Sequence, residues 1–501
     1  MDASTIVYPS IDWLAISPLI ILLTGMMIGL VVASLTKPWP RLLYGLLTAL
    51  LAVSALVVST FIWADINSDG ARTIVNDALS IDHFAVFCWI AITGALALVC
   101  LSTSDYLRRE SSDGPEVYAL YVSAALGGMI MASANDFVVL FLGLETLSIA
   151  LYVLAASNRR RVESQESGLK YFILGGFASA FLLYGIALIY GSTGSTNIST
   201  IGDVLATEVF VNGDDAMLLA GVALLLVGFA FKIAAVPFHF WTPDVYQGAP
   251  SPVTSFMASV GKFAAFAALM RVLATALPSR AEEWRPVIWV MAILSIVIGS
   301  VLAVVQTDVK RMLAYSSISH AGFILIGVEA LGHSGDTEGL PASLLYLMIY
   351  SVLVIGTFTV VTLVTRTGDG QSDLGSFRGL ASERPVLAAA MTVMLLAQAG
   401  MPTTSGFIAK FGVIKSAVTN ESYAIAIAAM VASVIAAVLY LRIMISMWMT
   451  DAETGDQNRE KVQIPWTAGL VVGGTTLFTV LVGVWPGWLI EAARSAAELA
   501  G

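Results

Sequence analysis

Residues 224–241 read LLLVGFAFKIAAVPFHFW. The run is apolar enough to enter a bilayer, yet it carries Lys232 near its middle and Pro237 just beyond. Proline removes a backbone donor and clashes with the preceding turn, so a kink or break is expected there. A charge at the centre of a bilayer costs roughly 2.5–3.5 kcal/mol on insertion scales. A membrane helix that keeps a lysine beside a break is expected to use it.

The same conjunction recurs along the chain. Glu145 lies in FVVLFLGLETLSIALYVLAA, Lys170 in SGLKYFILGGF, Lys262 in SPVTSFMASVGKFAAFAALM and Lys410 in AGMPTTSGFIAKFGVI. Lysine and glutamate take up and give up protons, which arginine hardly does. These charges inside apolar runs point to a proton path through a membrane.

Composition agrees. Hydrophobic residues are 57% and charged residues only 12% of the chain, against about 25% charged in a soluble domain. Apolar runs near the length that spans the hydrocarbon core recur at about 14–35, 41–63, 80–101, 117–134, 136–156, 168–190, 216–240, 251–276, 287–305, 312–330, 342–365, 385–418, 422–449 and 464–487. The expected fold is an all-α polytopic membrane protein of about fourteen spans, forming one transmembrane domain over 1–501. The net charge of −10 is spread over short loops and identifies no partner. No nucleic-acid partner is expected.

Cys88 and Cys100 share one apolar run, which argues against cysteine-ligated iron–sulfur clusters and a disulfide framework. The start, MDASTIVYPSIDW, is acidic and lacks the basic segment of a cleavable signal peptide. The chain has no GxxxxGK[ST] phosphate loop, no GxGxxG after a strand, and no metal or haem motif. No cofactor is therefore expected in this chain. Energy for transport has to come from an ion gradient or from partner subunits.

The loops set an expected orientation. Lys37, Arg41, Arg108, Arg109, Arg159, Arg160, Arg161, Lys310, Arg311, Arg366, Arg378, Arg384, Arg459 and Lys461 fall on one side. Arg72, Arg280, Arg285 and Arg494 fall on the other. The positive-inside rule places the first set in the cytoplasm and both termini outside.

Two runs read as broken. Pro237 interrupts the seventh, and GMPTTSG at 400–406 interrupts the twelfth. Their separation by five spans gives them opposite directions through the membrane. That is the pattern of two inverted repeats, here 117–276 and 287–449. Transporters place their sites at such discontinuous helices, and each break here has a lysine beside it.

Burial in apolar surroundings disfavours a charged amine, and a nearby carboxylate favours it. Moving the carboxylate then releases the proton. Glu145 reads as the only acidic residue deep within a span, and Lys232 is its expected partner. The plainer alternative is a structural ion pair, although buried pairs are poor stabilisers. Lys170 lies near a span end, from which a lysine can snorkel to the surface. Lys415 and Arg442 also read as snorkelling, and Arg271 is left open. His320 sits among Ser316, Ser317 and Ser319, where an imidazole and hydroxyls suit a proton relay. His239 follows Pro237 and is left open. His83 and His333 fall at the outer edge and are set aside.

The stretch GFAFKIAAVPFHFWTPDVYQGAPSPVTSFMASVGKFAAF resembles the span 7–8 signature of the subunit N family of bacterial respiratory NADH–quinone oxidoreductase, complex I. TDVKRMLAYSSISHAGFILIG, AGMPTTSGFIAKFGVIKSA and FLGLETLSIALYVLAA resemble further segments of that family, and the likeness covers nearly the whole chain. The wider family includes the sibling antiporter-like subunits and Mrp-type cation/proton antiporters. VPFHFWTPDVYQGAP favours the subunit N branch.

The resemblance implies that Glu145 and Lys232 are a charged pair, Lys262 the central lysine, Lys410 the exit-side residue and Lys170 a further lysine of the path. It implies a proton-translocating, non-redox subunit in a bacterial plasma membrane. NADH, FMN, iron–sulfur clusters and quinone would then be handled by partner subunits. A Mrp-type antiporter subunit is the alternative.

Overall fold

The computed structural model describes residues 12–110, 114–207, 212–365, 369, 372–450 and 462–498. Arg366, Arg459 and Lys461, used in the orientation argument, lie outside the described residues, as does most of the stretch read for a signal peptide.

The first part of the chain forms α1 (Trp13–Leu35), α2 (Arg41–Asp69), the strands β1 (Arg72–Ile74) and β2 (Leu79–Ile81), α3 (His83–Arg109), α4 (Pro115–Ser133), α5 (Phe137–Ala155), α6 (Val162–Thr193) and the short α7 (Ile198–Thr207). Then come α8 (Asn212–Ile233), α9 (Trp241–Gly248), α10 (Ser251–Phe256) and α11 (Lys262–Arg271). The remainder is α12 (Ala281–Val305), α13 (Val309–Leu331), α14 (Gly339–Val364), α15 (Leu380–Glu383), α16 (Pro385–Ala399), α17 (Ser405–Thr419), α18 (Tyr423–Met449), α19 (Trp466–Val484) and α20 (Gly487–Ala496). Cys88 and Cys100 are buried and unpaired in α3.

Among the described residues, thirteen helices are long and apolar enough to cross a bilayer. The remaining expected span, 385–418, is divided into α16 and α17, each 15 residues long. The sequence reading did not anticipate the hairpin. β1 and β2 pair antiparallel through a turn in which Val75, Asn76 and Asp77 all take positive φ. The turn anchors the α4–α5 corner, because Asn135 donates its amide to the Ala78 carbonyl at 2.8 Å.

Lipid is as apolar as leucine, so these helices associate through close packing rather than a hydrophobic drive. Two glycine pairs show the geometry. A Cβ on Gly127 would stand 2.5 Å from the Gly143 carbonyl oxygen across α4 and α5. A Cβ on Gly185 would stand 2.7 Å from the Gly221 carbonyl oxygen across α6 and α8. The segment from Ser251 to Leu273 is buried throughout, and α13 and α14 almost throughout. These three elements form the core. The first joins α10 to α11 through a π-turn at Met257–Gly261, immediately before Lys262.

Both expected breaks are present. In the first, α8 stops at Ile233, and Ala234 takes a φ of 60°. Backbone groups freed at membrane depth must find partners inside the protein. Here the Trp241 indole donates to the Phe231 carbonyl at 2.9 Å, and Ser295 Oγ accepts from the Val236 amide at 2.9 Å. In the second, Gly400 takes a φ of 90° after α16, and the Met401 amide bonds the Leu396 carbonyl at 3.0 Å. A Cβ on Gly406 would lie 1.7 Å from the Ala397 oxygen, so only glycine lets α17 start against the end of α16.

The two broken helices cross the bundle in opposite senses. α9 ends beside the start of α13, where Asp244 meets Arg311. α17 ends beside the finish of α13, where Asn420 donates to Asp336 at 2.7 Å.

Candidate functional site

Lys232, Lys262 and Lys410 are 7%, 2% and 6% exposed. None of them takes part in an ion pair among the described residues. Each ammonium is held by uncharged oxygens instead.

Lys232 occupies the last turn of α8, where unpaired carbonyls and the helix dipole favour a cation. Its Nζ donates to Ser148 Oγ at 2.6 Å and to the Tyr152 hydroxyl at 3.3 Å. Ser148 uses its own proton on the Leu144 carbonyl, leaving a lone pair for the lysine. The direct pairing expected between Lys232 and Glu145 is absent. Glu145 turns toward α6 and accepts from Ser179 Oγ at 2.5 Å. The reason lies in helix spacing: Ser148 and Tyr152 fall one and two turns beyond Glu145 on the same side of α5, and α8 meets α5 at that level. Glu145 and Lys232 are therefore not in direct contact, one held by Ser179 of α6 and the other by Ser148 and Tyr152 of α5.

Lys170 departs further from expectation. Its side chain keeps 42% exposure and pairs with Glu166 at 2.8 Å and Asp244 at 2.7 Å. Asp244 also takes Arg311 at 2.7 Å. Partial burial pushes the Asp244 carboxyl up, but hydrogen bonds from Lys170 and Arg311 more than reverse this and hold it below the usual carboxylate range. This cluster, at the start of α13, ties α6, α9 and α13 together and lines a cavity of about 330 Å³ with Arg161 and Ser167.

The centre belongs to α11, α13 and α14. Lys262 Nζ donates to the Ser317 carbonyl at 2.7 Å and to its hydroxyl at 2.6 Å. The Tyr350 hydroxyl donates to the same Ser317 Oγ at 2.7 Å. His320 lies one turn on, with Nδ1 2.8 Å from the Tyr346 hydroxyl and Nε2 3.1 Å from the Tyr440 hydroxyl. Tyr440 in turn stands 2.6 Å from Ser316 Oγ. A neutral imidazole donates from one nitrogen and accepts at the other. With a hydroxyl on each side, either tautomer of the ring finds a donor and an acceptor.

Lys410 reaches back across the second break. Its Nζ donates to the Ala399 carbonyl, the last of α16, at 3.0 Å and sits 4.8 Å from the Phe323 ring centroid. Both breaks thus offer a lysine the carbonyl end of a half-helix.

The sequence reading missed several groups. Tyr346 and Tyr350 stand one turn apart on α14, a spacing that could have flagged them; Tyr440 carries no such signal. Glu145 is not the only deep acid, because Glu329 at the end of α13 is 2% exposed. Lys310, counted as a basic loop residue, is buried, donates to the Ala249 carbonyl at 2.6 Å and lies 3.8 Å from Asp369. Arg271, left open, forms a buried bidentate pair with Asp82 at 2.9 and 2.8 Å. Arg442 caps the Val304 and Gln306 carbonyls, and Lys415 pairs with Glu338 at 3.2 Å. His239 is buried in the first break, its Nδ1 without a hydrogen-bond partner.

A helical membrane bundle with two oppositely directed broken helices and a buried row of lysines and hydroxyls defines an antiporter-like membrane protein. The transmembrane family described as NADH:quinone oxidoreductase/Mrp antiporter matches residues 134–436. The chain is 41% identical over 424 residues to NADH-quinone oxidoreductase subunit N of Trichlorobacter lovleyi, covering 85% of each chain. It is 39% identical over 517 residues to the subunit N of Parafrankia sp., covering 99% of this chain and 97% of that one. Its fold matches a chain of respiratory complex I from Thermus thermophilus with bound aureothin, with a TM-score of 0.79 and 29% identity over 95% of this chain and 99% of the other. The chain belongs to this antiporter-like family and, within it, to the NADH-quinone oxidoreductase subunit N group.

Proposed function

We propose that the chain carries protons across a bacterial plasma membrane as a non-redox subunit of an NADH–quinone oxidoreductase, whose redox cofactors reside in partner subunits. The observation that carries this reading is the set of three buried lysines on neutral oxygens, with Ser317 and Tyr350 at Lys262 and a second hydrogen-bonded group, Tyr346, His320, Tyr440 and Ser316, one turn on. A buried ammonium without a carboxylate partner is costly, so each lysine is suited to cycle between charged and neutral forms. Glu145 would modulate Lys232, Lys262 would pass the proton across the centre with His320, and Lys410 would lead it outward. Lys170, in the Asp244 cluster, would guard the entry side.

Residues 117–276 and 287–449 would form two inverted repeats, a reading supported by the opposed broken helices. The basic loops support a cytoplasmic entry and outward termini.

The test is Lys262→Ala and Lys232→Ala in the assembled complex, measured as protons moved per NADH oxidised in membrane vesicles. Strong loss with normal assembly supports the reading. Normal pumping refutes it. Purification with hydrophilic, iron–sulfur-bearing subunits separates it from a Mrp-type antiporter.

A further inference from the structure

We propose that Glu329, His333 and Arg285 form the outlet of this proton route at the end of the bundle opposite Asp244, with Arg285 acting as a cap against return. The inference rests on the proton-route reading above and extends it beyond Lys410.

Glu329 ends α13 and is buried to 2% exposure. His333, two residues past the helix, keeps 21% side-chain exposure, and its Nε2 stands 3.1 Å from Glu329 Oε1. Ser422 Oγ donates to the same carboxylate, 3.2 Å from each oxygen. Arg285 Nη1 lies 2.9 Å from His333 Nδ1. Gly332 permits this approach, because a Cβ there would stand 3.2 Å from Arg285 Cδ and 2.8 Å from the Trp284 ring.

The donor inventory settles the proton positions. A guanidinium only donates, so Nδ1 accepts and Nε2–H donates to Glu329. The carboxylate thus receives from both His333 and Ser422. Two neighbouring carboxylates do not compete for His333. Asp336 is held by Asn420 at 2.7 Å, and Glu338 by Lys415 at 3.2 Å and Arg494 at 3.7 Å.

The cluster connects inward. Phe323, on which Lys410 rests, lies six residues before Glu329, about 9 Å along α13 at 1.5 Å per residue. On α17, Ser416 follows Lys410 by the same interval, and its buried hydroxyl has no partner. α13 and α17 are in contact, and Ser416 lies between Lys410 and Ser422 along the chain.

Glu329, having received a proton from within, passes it to Nε2 of an imidazole that carries its own proton on Nδ1. The Nδ1 proton leaves to water. A carboxylate and an imidazole with Nε2–H remain, which is the tautomer that the Arg285 contact requires. Arg285 then occupies Nδ1 and denies it to an incoming proton. When Arg285 moves off, Nε2 gives its proton to water and Nδ1 takes one from water, which restores the first tautomer with no net proton moved.

The experiment uses inverted vesicles holding the assembled complex with Glu329→Gln, His333→Ala or Arg285→Gln, and Lys262→Ala and Lys410→Ala as references. Protons taken up per NADH are measured, followed by the decay of the pH gradient after NADH is exhausted. Glu329→Gln and His333→Ala are expected to lose as much proton uptake as Lys410→Ala. Arg285→Gln is expected to speed the decay, and Arg285→Lys, which keeps a donor, to restore it. Wild-type uptake in Glu329→Gln and His333→Ala, with Lys410→Ala impaired, overturns the outlet. Wild-type decay in Arg285→Gln overturns the cap. If both lysine references also pump normally, the proton route itself fails and the outlet with it. Should Glu329→Gln not assemble, Glu329→Asp and His333→Gln carry the same comparison.

Discussion

Lys232 donates to Ser148 at 2.6 Å, while Glu145, one turn earlier on the same helix, bonds Ser179 instead. The carboxylate and the amine therefore do not touch, and each is held by a hydroxyl of a different helix. A direct ion pair would hold the proton on the lysine. A separated one lets small shifts between α5 and α8 alter how strongly the carboxylate is felt.

Ser148→Ala is accordingly expected to lower proton pumping with little effect on assembly. Combined with Glu145→Gln, it should add almost nothing, because both changes act on the same lysine. A double-mutant cycle on protons moved per NADH measures this. Full additivity in assembled complex would show that Ser148 does not transmit the effect of Glu145.

Lys410→Arg should impair pumping more than Lys410→Glu. Arginine keeps a donor for the Ala399 carbonyl but does not give up its proton in the accessible range. A glutamic acid can donate to the same carbonyl and still titrate. Proton uptake per NADH in vesicles compares the two, and wild-type uptake in the arginine variant would mark Lys410 as a fixed charge.

The Asp244 carboxyl sits below the usual carboxylate range because of Lys170 and Arg311, despite its partial burial. A depressed native value contributes stability that is present above the unfolded value of about 3.9 and is lost as pH falls through the native value. Asp244→Asn should therefore lower thermal stability near neutral pH, and its difference from wild type should shrink on acidification. Melting curves at several pH values test the sign. A constant difference across that range contradicts the assignment.

Arg271 and Asp82 are 2% and 0% exposed and bonded twice, and Arg271 Nε also donates to the Ala132 carbonyl at 2.7 Å. Breaking a buried pair from one side costs on the order of 3–5 kcal/mol. Arg271→Ala should reduce the amount of folded protein and its melting temperature while leaving the lysine row untouched. Specific pumping per assembled complex should stay near wild type, as a quantified native gel alongside the vesicle assay would reveal.

The amino-acid sequence by itself determined the membrane class, the approximate spans and the two breaks. Each of these is a local property: a run of apolar residues must pair its backbone within itself, and proline or a glycine-rich stretch interrupts it where it stands. It also exposed Lys232, Lys262 and Lys410, since a charge in an apolar run is costly wherever the helix is placed. Tertiary structure alone decided what those charges touch. Ser148 and Lys232 are 84 positions apart, His320 and Tyr440 120, and Asp82 and Arg271 189. Which residues meet across such intervals depends on how helices rotate and stagger against one another, and close packing through glycine contacts sets both. For that reason Lys170 proved to be an ion-paired, partly exposed group, Lys310 a buried one, and Glu329 a buried acid paired with His333. Periodicity along a single helix tells which side a residue occupies but not which neighbour that side will meet.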